Sequence, residues 1–326
     1  MRRQIQNEKM PGSRVPKCRT PFLRAETFDV ADTSGWMEHL EREGYVVLSD
    51  VLTKEQAAYA EETFKREWCE VSPEFDWDDP TTWEKKTWPI IDGGKGSVMM
   101  NGFAHSETNW FLRLESRAKE AFAHIYKTEE LAASFDGFSV FLDPSQDSQS
   151  WLHTDQRSQD TRISVQGILN VHACDELDAG FVCVPGTHKT YTAPPQDNDW
   201  GRLPKDNPYK KLATKILTPE RSLIIFSSKL IHANRGMVKK HPNGRHFNRF
   251  SAYTTFVPKE RQSAEIVELR KDGYRRGIAC SHWADRFEPK RISPYVIGDY
   301  SRRSLNTLKP MLTEEGEIPP HILAYI

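Results

Sequence analysis

The sequence predicts an α+β protein with a mainly β core, an antiparallel sandwich or jelly roll with helices packed on its outside. Three observations carry this. Between about residues 135 and 258 the chain falls into short β-type runs, Ser139–Leu142, Arg162–Val171, Gly180–Val184, Ser222–Phe226 and Arg249–Val257. No helical stretches alternate with them as βαβ units require. Pro185-Gly186 and Pro242-Asn243-Gly244 punctuate the runs as turns. Ahead of them lie apolar residues at helical spacing. The chain has 326 residues, 37% hydrophobic and 11% aromatic, enough for one sizeable core despite a mean hydropathy of -0.67.

In chain order, residues 1–27 combine basic residues with Pro11, Gly12, Pro16 and Pro21 and read as a flexible arm. A single domain is expected over 28–326. Trp36, Met37 and Leu40 repeat at helical spacing before Gly44, a residue suited to a helix C-terminus. Tyr45–Leu48 is a short strand, and Thr53-Lys54-Glu55-Gln56 has the form of a capping box opening a helix to about Cys69. Residues 71–109 hold Trp77, Trp83 and Trp88, several acids and the run Gly93-Gly94-Lys95-Gly96. This composition suits a long lid-like loop, although the tryptophans also suit simple packing onto the core. The glycine run lacks the flanking elements of a phosphate-binding loop. A helix is expected over 111–127, the β core over 135–258, and a charged C-terminal wrap over 259–326.

Formal net charge is -1, so the overall balance calls for neither nucleic acid nor an anionic membrane as a partner. The five cysteines are scattered without a C-x-x-C pair, which argues against a disulfide framework and for a reducing compartment. No stretch approaches the roughly 18 apolar residues of a membrane helix. A soluble, cytoplasmic protein is expected, with the basic arm compatible with import into an organelle.

The chemistry centres on Trp151-Leu152-His153-Thr154-Asp155. On an extended backbone residues i and i+2 share a face, so His153 and Asp155 can close on one ion. An imidazole and a carboxylate supply two thirds of the facial triad that holds iron(II) with open positions. With 11 histidines and 46 acids in the chain, such a pair alone is weak evidence. A second cluster strengthens it. The buried-type run Ser222–Phe226 leads to Leu230-Ile231-His232, and Arg249-Phe250-Ser251 opens the next strand. A jelly roll brings distant strands together, so His232 can be the third ligand. Arg249 and Ser251 again share a face, and a guanidinium fork beside a hydroxyl suits a terminal carboxylate.

The order H-x-D, distal His, R-x-S resembles the iron(II)- and 2-oxoglutarate-dependent oxygenases, and within them the phytanoyl-CoA dioxygenase-like family. Glu43-Gly44-Tyr45-Val46-Val47-Leu48 is similar to that family's entry, and Ala179 to His188 resembles its turn ending Pro-Gly-Ser/Thr-His. The resemblance spans roughly residues 40–257, and its specificity lies in the ordered set. It implies a double-stranded β-helix (a cupin-like jelly roll), iron(II) on His153, Asp155 and His232, 2-oxoglutarate as cosubstrate on Arg249 and Ser251, and O2 as oxidant. The implied reaction hydroxylates or otherwise oxidises a small molecule and releases succinate and CO2. A carboxylate at Asp155 argues for hydroxylation, since halogenating relatives leave that position without one. The His232-to-Arg249 interval is longer than usual for the family and fits an inserted loop over 239–245, which makes Arg245 a competing carboxylate clamp.

Other residues carry less. Gln166 either hydrogen-bonds the keto acid or substrate or serves as solvent-facing polarity. His188 suits a structural role in its turn, His172 lies near the expected core, and His241 and His246 lack the partners of a zinc site. Trp151 either walls the site or packs the core. Arg275-Arg276 and Arg302-Arg303 suit solvated surface better than an anionic ligand. The substrate is expected to be a small molecule with an anionic, aromatic or acyl portion. Two competing classes are a cupin-like metalloenzyme without a keto acid and a non-catalytic jelly-roll binding protein.

Overall fold

The structure, a computed structural model, describes residues 21–91, 96–142, 151–194, 199–237, 246–291 and 306–326. Two large sheets form its centre. One has seven strands in the order β2 (Thr27–Phe28), β3 (Tyr45–Leu48), β12 (Ser222–Ser227), β8 (Val165–Asn170), β14 (Arg249–Tyr253), β6 (Phe138–Phe141) and β4 (Ser97–Val98). The other has six, in the order β1 (Phe22–Arg24), β11 (Thr214–Leu217), β9 (Gly180–Cys183), β13 (His232–Arg235), β7 (His153–Thr154) and β10 (Gly201–Arg202). Pairing is antiparallel except for β1 with β11 and β2 with β3. From β6 onward the chain repeatedly crosses between the sheets, so residues far apart in sequence face one another across the interior.

The N-terminal helices cover the outside of the seven-stranded sheet. Helix α1 (Thr33–Glu43) starts at Asp32, whose carboxylate accepts the Gly35 N–H, and stops at Gly44 in the left-handed region with φ 79°. A Cβ there would lie 2.4 Å from Nδ1 of His188, so the position needs glycine for both conformation and space. Helix α2 (Lys54–Val71) opens with the expected capping box: Gln56 N–H donates to Thr53 Oγ1 at 3.1 Å and Thr53 N–H to Gln56 Oε1 at 2.8 Å. Ala60, Phe64, Trp68 and Val71 fall on one face of α2 and are buried. Phe64 packs among Phe103, Phe138, Phe247 and Phe250, which ties the helix to β6 and β14.

Several boundaries differ from the sequence expectation. The single helix expected over 111–127 is two, α3 (Glu107–Glu115) and α4 (Ala118–Tyr126). Ser116 turns extended between them and its hydroxyl accepts the Ala118 N–H, a local bond that competes with helix continuation. The strand expected over Arg249–Val257 ends at Tyr253. After a bend at Thr254-Thr255, β15 (Phe256–Pro258) pairs with β5 (Leu131–Ala133) in a separate ladder. Residues 1–20 of the expected basic arm lie outside the described residues, but 22–24 and 27–28 are strands that extend the two sheets. The tryptophans of 71–109 pack inward: Trp77 and Trp88 are buried, and the Trp77 indole donates to Lys65 O. Gly93-Gly94-Lys95 lies outside the described residues.

The one-turn helix α5 (Thr187–Thr190) follows β9, and beyond the β core come α6 (Ala264–Arg275) and the short α7 (Pro320–Leu323). Arg275 and Arg276 make surface ion pairs with Glu317 and Asp272. Tyr295, Tyr300, Arg302 and Arg303 lie outside the described residues. Cys69, Cys174, Cys183 and Cys280 are all free thiols. No described helix is long and apolar enough to cross a membrane.

Candidate metal centre and its pocket

Sheet register brings the two histidines together. In the β13–β7 ladder His232 is the Cα partner of His153, and their rings lie 4.3 Å apart between centroids. Asp155 follows β7, anchored by its N–H to Ser228 O at 2.8 Å. Its Oδ1 lies 3.4 Å from His153 Nε2 and its Oδ2 3.2 Å from His232 Nε2. One ligand atom from each of the three falls within 4.8 Å of the others, the spacing of groups that could share one ion.

The protonation states suit a metal. Each Nδ1 sits against the carbonyl two residues earlier, Trp151 O for His153 at 3.1 Å and Leu230 O for His232 at 2.9 Å. A carbonyl only accepts, so Nδ1 carries the proton and the Nε2 lone pair points at the shared position. Burial lowers the pKa of His153 and keeps the ring neutral, with Asp155 opposing. Burial works to raise Asp155, but the charge and hydrogen bonding that His153 and His232 offer it when protonated outweigh burial and hold the carboxyl well below the usual range. Neutral imidazoles and an ionised carboxylate are the forms that ligate. Aromatic rings fix the planes: Trp151 stacks on His153 at 4.4 Å and 14°, and Phe226 lies 4.6 Å from His232.

Gln166, on β8, is neither solvent-facing nor free. Its amide donates to Asp155 Oδ2 at 2.9 Å and stands 3.2 Å from Ser228 Oγ, which is itself bonded to Ser164. The Gln166 side chain therefore orients the carboxylate. Arg249 and Ser251 share a face of β14 as the i, i+2 rule requires, and Arg249 Nε donates to Ser251 Oγ at 3.2 Å. Arg249 Nη1 donates to Asn234 Oδ1 at 2.8 Å, while its Nη2 is buried without a partner. Among the described residues no carboxylate pairs with this buried guanidinium. Arg249 adjoins the cavity through its bond to Asn234, which lines it. Arg245, the competing clamp, lies outside the described residues, as does His241.

The cavity at the triad has a volume of about 480 Å³, within the roughly 300–1,000 Å³ of small-molecule sites. Trp151, Trp200, Phe226 and Tyr253 give it aromatic walls, and Met99 and Met100 come from the end of the 71–109 stretch. Trp151, half-buried, does both: it walls the site and packs against the buried cluster that holds Leu152, Val182 and Ile231. His188 is structural, with Nε2 bonded to Glu41 O. His172 pairs with Glu61, and His246 packs on Trp77 and Trp83. Sequence reasoning missed Asn234, Tyr253, Asp136, His282, Lys290 and Arg291. The first two had a findable signal, since each lies two residues beyond His232 or Ser251 and so on the same strand face.

No family model matches the chain. Over 160 residues, 48% of this chain, it is 29% identical to Ava biosynthesis cluster protein O of Aspergillus versicolor. The match covers 51% of that protein, so the chain spans about half the length of the curated relative. Among solved structures it is similar to the epimerase SnoN in complex with Fe3+, alpha-ketoglutarate and nogalamycin RO, at 14% identity and a TM-score of 0.46 over 71% of this chain and 85% of that one. It is likewise similar to EctD from S. alaskensis with 2-oxoglutarate and 5-hydroxyectoine, at 13% identity and a TM-score of 0.46 over 77% of this chain and 86% of that one. A third is the non-heme alpha-ketoglutarate-dependent carbocyclase SnoK from nogalamycin biosynthesis, at 8% identity and a TM-score of 0.48, covering 72% and 87%.

Proposed function

We propose that the chain is an iron(II)- and 2-oxoglutarate-dependent oxygenase, built on a jelly-roll core, that hydroxylates or otherwise oxidises a small molecule. The observation that carries this is the triad of His153, Asp155 and His232 with both Nδ1 protons committed to backbone carbonyls. Two neutral imidazoles and one carboxylate on one side of an ion match the donor set of non-heme iron(II) oxygenases. The phytanoyl-CoA dioxygenase-like motif order supports the same reading. When bound, iron(II) with 2-oxoglutarate and O2 supplies an oxidant strong enough to attack a C–H bond, with succinate and CO2 released.

The residues of this chain hold and orient. Gln166 keeps the Asp155 carboxylate turned toward the histidines. The buried Arg249 fork, with an unpartnered Nη2 and Ser251 beside it, fits the distal carboxylate of 2-oxoglutarate. The aromatic walls exclude water from the reacting centre. Retention of the Asp155 carboxylate favours hydroxylation over halogenation.

The test is anaerobic titration of the protein with iron(II) and then 2-oxoglutarate, read by the visible charge-transfer band of the iron–keto-acid chelate. The expected result is a saturable band that Asp155→Ala abolishes. Intact protein that binds iron without the band points to a cupin-like metalloenzyme using no keto acid. Intact protein that binds no iron points to a non-catalytic binding protein.

A further inference from the structure

The cavity holds a second set of polar groups that neither the metal nor the keto acid uses. His282, from the segment after α6, is buried and lines the cavity, yet its Nε2 has no hydrogen-bond partner. Burial is the main reason its pKa is pushed down to about 4, so at neutral pH the ring is an uncharged hydrogen-bonding group. Asp155 and His232 act on it electrostatically, as do Lys290 and Arg286, so it stands within range of both the triad and the cationic segment. A buried polar atom left without a hydrogen-bond partner is costly. On a cavity wall, that atom marks where a ligand group belongs.

Lys290 and Arg291 line the same cavity and are themselves exposed, so they stand on its solvent side. Among the described residues neither has a carboxylate within ion-pair distance. Arg286, earlier on the same segment, is committed elsewhere: it pairs with Asp199 at 2.5 Å and lies over the Trp283 ring at 4.3 Å. Asp136 also lines the cavity; burial raises its pKa, while Lys290 and the Gly137 N–H that its carboxyl accepts oppose the rise. Apart from Asp155, which belongs to the triad, two cations and a neutral donor therefore face one acid, Asp136, beside aromatic walls.

We propose that His282, Lys290 and Arg291 bind an oxyanion of the substrate, such as a carboxylate, whose apolar or aromatic body lies against Trp151, Trp200 and Phe226. His282 Nε2 donates a hydrogen bond to the anion and the two cations supply charge. The proposal rests on the oxygenase reading for its use of the site.

A pair of dyes with the same ring system tests it: 1-anilinonaphthalene-8-sulfonate, which is anionic, and N-phenyl-1-naphthylamine, which is not. Fluorescence titrations are run on protein loaded anaerobically with iron(II) and 2-oxoglutarate, and on metal-free protein. The anionic dye is expected to bind on the order of tenfold tighter. Lys290→Gln with Arg291→Gln removes that preference. His282→Phe weakens only the anionic dye, and His282→Gln, which keeps a donor, restores part of it. The iron–keto-acid band titrates unchanged in all of these variants. Equal binding of the two dyes, a preference that survives the double variant, or variants that weaken 2-oxoglutarate instead would overturn the proposal. A missing band in the unaltered protein sinks the oxygenase reading, and the dye preference in metal-free protein then still decides whether the anion site exists.

Discussion

Gln166 Nε2 donates a 2.9 Å hydrogen bond to Oδ2 of Asp155, the same oxygen that lies 3.2 Å from His232 Nε2. The amide thus fixes the rotation of the one anionic ligand. Partners of this kind orient metal ligands, and their removal weakens metal affinity by about 10–100-fold. Gln166→Leu is expected to lower iron(II) affinity in that range without unfolding the protein, read by calorimetric titration. An unchanged affinity would show that Ser228 and the two histidines suffice to hold the carboxylate.

Gly44 closes α1 with φ 79° while His188 packs against it. Gly44→Ala adds a left-handed residue with a side chain, costing roughly 1–2 kcal/mol, and a clash at 2.4 Å from His188 Nδ1. A drop in Tm of several degrees is the expected outcome, with iron binding retained in the folded fraction. A Tm equal to that of the unaltered protein would mean the turn and His188 relax freely.

Phe64 joins α2 to the outer face of the seven-stranded sheet, with ring centroids 4.5 Å from Phe250 and 4.9 Å from Phe138. It is fully buried. Phe64→Ala is expected to destabilise the fold by ~3–5 kcal/mol, from lost transfer energy and the cavity left behind. Denaturant unfolding measures it, and a loss below about 1 kcal/mol would contradict such tight packing.

Much of this was legible because local signals agreed with the tertiary arrangement. The capping box at Thr53 and the glycine at 44 set helix ends through bonds within a few residues. Arg249-x-Ser251 shares a face because strand geometry alternates, and His153-x-Asp155 meets although Asp155 lies just past the end of β7. The meeting of His232 with His153 is different in kind: it depends on the β13–β7 register, which no local pattern encodes, and motif order stood in for it. Where local and tertiary demands compete, the reading slipped. Ser116 breaks the helix expected over 111–127, and Thr254-Thr255 divert a strand into another ladder. The wall formed by His282, Lys290 and Arg291 left no signal, because a segment outside the core can reach a cavity from any direction.

Glu61, on α2, accepts a 2.7 Å hydrogen bond from His172 and pairs with Lys65 at 2.6 Å. The His172 bond is the largest cause of a pKa lowered from 4.5 to about 2. A carboxyl depressed in the fold stabilises it above its unfolded pKa, and that stability fades as pH falls through the folded value. Between pH 4.5 and about 2 the unaltered protein should lose stability that Glu61→Gln has already lost at neutral pH. Tm measured against pH should show the two curves converging toward pH 2. Parallel curves would show that this pair adds nothing to acid sensitivity.

Arg249 is the sharpest test of how the keto acid is held. Its guanidinium is buried, braced by Asn234 at 2.8 Å and Ser251 at 3.2 Å, and retains an unpartnered Nη2. Arg249→Lys keeps the charge but removes the fork that a carboxylate grips with two parallel bonds. Loss of one charge-assisted hydrogen bond is worth about 1.5–3 kcal/mol, or roughly 10–100-fold in affinity. The iron–keto-acid band should therefore need about 10–100-fold more 2-oxoglutarate to saturate, on the order of that same loss, while iron(II) affinity stays as it was because the triad is untouched. If both affinities hold, Arg249 is a brace for Asn234 and the carboxylate is gripped elsewhere.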